Sequence, residues 1–229
     1  MQTSLSGIEA IFFDIDGTLS DSDDQIIEEI VRRMHFFHFL WKDSLLRKFA
    51  RSSISLAMTF FNSTYHVVDR LGLDNFFAKT FPHKHIQNKD DFEKDFNLID
   101  GVEKMITILY SHYRLGIVSA RSESGVLHFL QQFSLEKYFG VVVAAQTCYY
   151  TKPFPHPLLY AAEQVKVLPE KCLMVGDTIV DILAGKAAGM KTIGVLSGFG
   201  TLKELQRAAA DFILASPAEL VTLLNQNLG

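Results

Sequence analysis

The chain of 229 residues carries 22 Lys and Arg against 26 Asp and Glu, for a formal net charge of −4, and 48% of its residues are hydrophobic. That is ample for one large or two modest buried cores, and the basic residues are scattered with no stripe, so nucleic acid is not expected as a partner. No apolar run approaches the ~18 residues a membrane span requires, and the N-terminus has neither the basic start nor the long apolar stretch of a cleaved signal, so a cytoplasmic protein without membrane association is expected.

The first element is the apolar run Ala10-Ile11-Phe12-Phe13, extending to Ile15, which has the character of a buried parallel strand. It leads into Asp14-Ile15-Asp16-Gly17-Thr18-Leu19. Side chains alternate along a strand, so Asp14 and Asp16 share a face at its carboxyl end, where open α/β sheets collect their ligands. Two acids this close repel, and positive charge is needed beside them.

From Leu19 to about Phe96 no convincing strand appears. Ser22 or Asp23 is placed to cap a helical stretch from about Asp24 to Phe49. Ile54, Met58, Phe61, Tyr65, Val68 and Leu71 then recur at helical spacing, and Gly72 follows them. The aromatic residues Phe36, Phe37, Phe39 and Trp41 are expected to pack as a helix stripe. The pairs His35/His38 and His83/His85 lack a third ligand at suitable spacing and are not expected to bind metal.

From Asp100 onward strands alternate with helices. A helix is expected over Gly101 to His112, a strand over Arg114 to Val118, and a helix over Ser122 to Phe133. Further strands follow at Val141 to Ala145, Cys172 to Val175 and Lys191 to Val195, with a weaker one at Asp211 to Leu214. Such alternation implies parallel pairing through right-handed crossovers, hence an α/β fold with a doubly wound, Rossmann-like parallel sheet. The expected division is a core of residues 1–19 and 97–229 and an inserted α-helical cap of residues 20–96. Both hinges of the insert would flank the first acid pair, as a lid's do.

Three more segments carry chemistry: Val118-Ser119 at a strand end, Lys152-Pro153 in a loop, and Gly176-Asp177-Thr178 with Asp181 at another strand end. Four acids with a lysine between them suit a hard divalent cation, and Mg2+ commonly binds through one or two carboxylates together with waters and substrate phosphate. A carboxylate nucleophile fits the same arrangement. Cys148 and Cys172 stand at no metal-like spacing, so neither a disulfide framework nor a zinc site is expected, and Cys172 is expected to be a small core residue.

These four segments, in this order, resemble the haloacid dehalogenase-like hydrolases, and among them the phosphatases with an inserted helical cap. Ala184-Gly185-Lys186-Ala187-Ala188-Gly189-Met190 looks like the phosphoglycolate phosphatase side of that family. The resemblance implies a Mg2+-dependent phosphatase acting on a small phosphorylated metabolite through an aspartyl-phosphate. Asp14 would be the nucleophile, Asp16 the general acid and base, Ser119 a phosphoryl hydrogen-bond donor and Lys152 the fixed positive charge. Asp14, the Asp16 backbone carbonyl and Asp177 would hold the metal, with Asp181 contacting it directly or through water.

The sequence departs from the family at Ala120-Arg121, where an Asn commonly follows the Ser or Thr, so Arg121 is either an anion-binding residue or a solvated one. His156 stands where relatives often carry an acid. A phosphosugar mutase is the alternative enzyme, although its fourth segment usually ends in Glu-Asp. A non-catalytic binding or regulatory protein is the alternative outside enzymes. Both a monomer and a homodimer are compatible with the sequence.

Overall fold

A computed structural model describes residues 5–21 and 96–226. By contacts along the chain, the molecule divides into two compact units, Met1–Asp21 with Lys89–Gly229, and Ser22–Asn88. The expected helices of the insert, its aromatic stripe and its histidine pairs lie outside the described residues.

The larger unit is built on a six-stranded sheet in the order β3-β2-β1-β4-β5-β6. The strands are β1 (Ala10–Phe13), β2 (Arg114–Val118), β3 (Phe139–Val143), β4 (Cys172–Gly176), β5 (Lys191–Val195) and β6 (Phe212–Leu214). All five pairings are parallel. The helices among the described residues are α1 (Val102–Tyr110), α2 (Glu123–Gln132), α3 (His156–Gln164), α4 (Ile179–Ala187), α5 (Leu202–Arg207) and α6 (Leu220–Gln226). The fold is thus the expected α/β doubly wound sheet.

Alternation along the central strands supplies both layers. Ile11, Phe13, Leu115, Ile117, Leu173 and Val175 point into one core with Val102, Met105 and Ile106 of α1, Phe129 of α2 and Leu220 of α6. Ala10, Phe12, Val118, Cys172 and Met174 point into the other with Leu158 and Ala161 of α3 and Ala184 of α4. Phe12 and Phe13 are both fully buried, and truncating a residue of this kind to Ala costs about 3–5 kcal/mol. Cys172 is buried as expected, its thiol donating to Leu168 O at 3.3 Å.

The boundaries differ from expectation where turn-like residues sit inside elements. β3 starts at Phe139, two residues early, because Gly140 continues the strand after the 3-10 turn Glu136–Tyr138, and the pairing with β2 shifts register between Leu115 and Gly116. β1 ends at Phe13, although Asp14 N–H still donates to Val175 O at 3.0 Å.

With β1 and β4 adjacent and their crossovers diverging to opposite sides, the crevice beyond their carboxyl ends is the topological switch point of the sheet. The two ends of the insert's connections run side by side at this edge. Ser20 and Leu98 form an antiparallel bridge, Asp21 N–H donates to Asn97 O at 2.8 Å, and Ile99 N–H donates to Leu19 O at 3.0 Å.

Candidate active site

The loop after β1 turns back on itself. The amides of Thr18, Leu19 and Ser20 all donate to Ile15 O, at 3.2, 2.9 and 2.8 Å. Gly17 takes φ 72°, and a Cβ there would press on the Asp177 carboxylate and lie 2.8 Å from Gly198 Cα. Only glycine permits both the left-handed backbone and that approach.

Asp14 leaves the strand beside Lys152, whose Nζ lies 3.0 Å from Asp14 Oδ1, 2.7 Å from Asp181 Oδ1 and 2.8 Å from Val118 O. The Lys152 side chain is only 5% exposed and Asp181 1%, so the ammonium has exchanged its hydration for these three oxygens. Burial disfavours the charge on Lys152, but Asp14 and Asp181 more than offset it and raise its pKa above the ordinary lysine value. Burial pushes the Asp14 carboxyl up, Lys152 pulls it back, and Asp181 and Asp16 push it up again, to about 7.

Asp177 and Asp181 arrive from the start of α4. Thr178 is its N-cap, with its amide and hydroxyl donating to Asp181 Oδ2 at 3.1 and 2.6 Å. Asp181 therefore serves two partners, one oxygen holding the helix start and the other the lysine. Asp177 is fully buried, and its Oδ2 accepts from Phe199 N–H at 2.8 Å.

Oxygens of Asp14, Asp177 and Asp181 lie within 4.8 Å of one another. This donor set fits a hard divalent cation: three carboxylates face one ammonium, and Asp14 titrates near neutrality, so further positive charge is needed to ionise it fully. The Asp16 carboxylate is not in this cluster. It turns to Arg121, whose Nε and Nη2 donate to its Oδ2 and Oδ1 at 2.7 and 2.5 Å.

Ser119 follows β2 and is buried. Its Oγ accepts from Arg121 N–H at 3.2 Å, which leaves the hydroxyl proton to be donated. The N-cap of α2 is Ser122, accepting from Gly125 N–H at 3.1 Å, so Ser119 is free of that duty. His156 opens α3 and stacks on Tyr150 at 4.4 Å between centroids.

Two contributions were missed by sequence reasoning. One is the pairing of Arg121 with Asp16. The other is the loop after β5: Ser197 Oγ donates to Gly17 O at 2.7 Å, Phe199 binds Asp177, and a Cβ on Gly198 would press on Asp177 and lie 2.7 Å from Gly17 Cα. A Ser-Gly-Phe-Gly stretch just beyond a strand's carboxyl end was the available signal.

A model of the haloacid dehalogenase-like hydrolase family matches residues 11–195. The chain is 30% identical over 220 residues to pyrophosphatase PpaX of Anoxybacillus flavithermus, covering 95% of this chain and 97% of that protein. It is 26% identical to PpaX of Bacillus mycoides, covering 96% and 98%. Among solved structures, a haloacid dehalogenase-like family hydrolase from Streptococcus pneumoniae matches with a TM-score of 0.65 at 21% identity, covering 96% of this chain and 99% of that one. A protein described as a predicted phosphoglycolate phosphatase, from Haemophilus somnus, matches with a TM-score of 0.66 at 18% identity, covering 96% and 99%. At such identities the structural matches establish the fold. With the family match, the chain belongs to the haloacid dehalogenase-like hydrolases and is an enzyme of their phosphatase branch.

Proposed function

We propose that this enzyme is a Mg2+-dependent phosphatase that hydrolyses a small phosphorylated metabolite, a phosphoglycolate-like phosphomonoester, through an aspartyl-phosphate on Asp14. The observation that carries the proposal is the convergence of Asp14, Asp177 and Asp181 around the buried Lys152 at the carboxyl ends of β1 and β4. Asp14, Asp177, Asp181 and the Asp16 backbone carbonyl would hold Mg2+, which when bound screens the repulsion between these acids and the substrate phosphate.

Asp14 attacks phosphorus in line with the leaving oxygen. Lys152 holds that carboxylate in place and offers positive charge to the transferring phosphoryl group, while the Ser119 hydroxyl donates to one of its oxygens. Asp16 gives its proton to the leaving oxygen and then takes one from the water that hydrolyses the aspartyl-phosphate. Its side chain remains 28% exposed, open to a leaving group.

Residues 20–96 are proposed as a cap over a core of residues 1–19 and 97–229, with the paired hinge segments beside the Asp14 loop as support. No helix among the described residues is long and apolar enough to cross a membrane, and a cytoplasmic enzyme meeting soluble substrates is consistent with that. A second reading, inorganic pyrophosphate as the substrate, is favoured by the relatives named pyrophosphatase.

The test is phosphate release from a panel of phosphoglycolate, pyrophosphate and sugar phosphates, with EDTA and with Mg2+ restored. Activity that disappears in chelator, returns with Mg2+ and is abolished by Asp14→Asn supports the proposal. Full activity after thorough chelation, or isomerised sugar phosphate without phosphate release, overturns it. Preference for pyrophosphate over every ester selects the second reading.

A further inference from the structure

Asp16 is held by more than proximity. Arg121 meets it with two parallel donors, one to each carboxylate oxygen, a geometry that fixes the plane of the acid as well as its position. Arg121 is itself braced on three sides. Its N–H donates to Ser119 Oγ at 3.2 Å, its carbonyl accepts from Ala145 N–H at 2.8 Å, and its guanidinium lies over the Phe96 ring, 4.7 Å from the centroid.

Phe96 is anchored in turn. The Gln132 side chain on α2 accepts from Phe96 N–H at 2.8 Å and donates to Phe96 O at 2.9 Å, and the ring packs edge-on against Phe129 at 5.3 Å. Phe96 stands where the chain re-enters the core beside the insert's other hinge, so a continuous set of contacts runs from α2 through Phe96 and Arg121 to Asp16.

We propose that Arg121 is a positioning residue for Asp16, supported by the Phe96 ring, and that it acts by fixing the plane in which the Asp16 carboxyl meets the leaving oxygen. The inference rests on the acid/base role proposed for Asp16. As the bond from phosphorus to the leaving oxygen breaks, its electron pair stays on that oxygen, which takes the proton from Asp16. The two Arg121 donors, already on both Asp16 oxygens, keep the plane of the acid fixed through this transfer. In the second step the same carboxylate takes a proton from water as the water oxygen bonds to phosphorus and Asp14 departs as a carboxylate. A lysine offers a point charge with no planar fork, so it would replace the charge without the orientation.

The experiment compares an alkyl phosphate, whose leaving group needs a proton, with p-nitrophenyl phosphate, whose leaving group barely does. Asp16→Asn sets the reference and should cost the alkyl substrate about 100-fold more in kcat/KM, which reports the phosphoryl-transfer half-reaction and not the hydrolysis step common to both substrates. Arg121→Met should cost the alkyl substrate about tenfold more than the aryl one, Arg121→Lys should restore only part of that, and Phe96→Leu should shift the ratio in the same direction by less.

In an Asp16→Asn background, Arg121→Met should add almost nothing, because the group it positions is gone. A merely structural Arg121 would lower both substrates alike and would add its full cost in that background, and either result overturns the inference while leaving Asp16 in its role. If Asp16→Asn itself loses both substrates equally, the acid/base reading fails and the inference with it. Should Arg121→Met not fold, the Lys and Phe96 variants decide on the same ratio.

Discussion

Lys152→Met keeps a long apolar stem and deletes the ammonium that Asp14, Asp181 and Val118 O surround. Removing one partner of a buried ion pair costs about 3–5 kcal/mol, because the other charge is left uncompensated, here chiefly at Asp181, which is 1% exposed. Here the cost should depend on pH. Asp14 titrates at about 7 even with the lysine pulling it down, so without Lys152 it takes up a proton near neutrality and sheds its charge. Asp181, held at 1% exposure, keeps the remainder of the penalty. The loss should therefore be smaller at pH 6 than at pH 8.

Hydrogen exchange at the β1 and β4 amides in chelated protein is the suitable assay, since these central strands open only with the whole core. The chain's single tryptophan, Trp41, lies in the inserted segment and would report on the wrong unit. Adding Asp181→Asn to the variant should recover part of the loss. A penalty below ~1 kcal/mol, the range of an exposed pair, or one that does not change with pH, would refute the description of Lys152 as the compensating charge of the site.

The metal-free wild-type protein should lose stability as pH rises from about 4 to about 7. In that window the folded state keeps a proton on Asp14 that the unfolded chain has released, so the sign is negative, with a ceiling on the order of 4 kcal/mol. The lowered pKa of Asp211 acts only below 3.8 and does not mask it; urea midpoints at pH 5 and pH 8 that show no fall contradict the assignment. Gly198→Ala should destabilise the protein by about 1–3 kcal/mol and weaken Mg2+ binding, because its methyl must displace the Asp177 carboxylate or Gly17; unchanged Mg2+ titration would remove that loop from the site. Replacing residues 24–94 with a Gly/Ser linker should lower kcat/KM for the preferred metabolite far more than for p-nitrophenyl phosphate, and a folded, Mg2+-binding core with an unchanged substrate ranking would refute the insert's selecting role.

The sheet was legible because each of its strands is an apolar run ending in a turn, and because alternation with helices leaves parallel pairing as the simplest closure. Arg114–Val118 and Lys191–Val195 fell on their observed bounds. Phe139-Gly140 did not, since local composition cannot show that a glycine continues a strand when its neighbour tolerates a shift in register. In the candidate site, Asp14, Ser119 and Asp177 stood out by standing just beyond strand ends, Asp181 by its place in the helix that follows, and Lys152 by its place in the motif order. The grip of Arg121 on Asp16 joins residues 105 positions apart in two loops, and only the side-by-side packing of β1 and β2 reveals it. The same holds for Gly198 against Gly17, a contact made by the absence of side chains.

The central claim is that Asp14 carries the phosphoryl group between two half-reactions. Acid quenching during turnover of the preferred substrate with Mg2+, followed by proteolysis and mass spectrometry, should find one phosphate on the peptide spanning Ile11 to Leu19, and borohydride reduction of the quenched enzyme should convert Asp14 to homoserine. The adduct should be absent from Asp14→Asn, and with Asp16→Asn it should accumulate from p-nitrophenyl phosphate because its hydrolysis is slowed. Undiminished turnover by Asp14→Asn, or a phosphate adduct on another residue with Asp14 unmodified, would contradict the account.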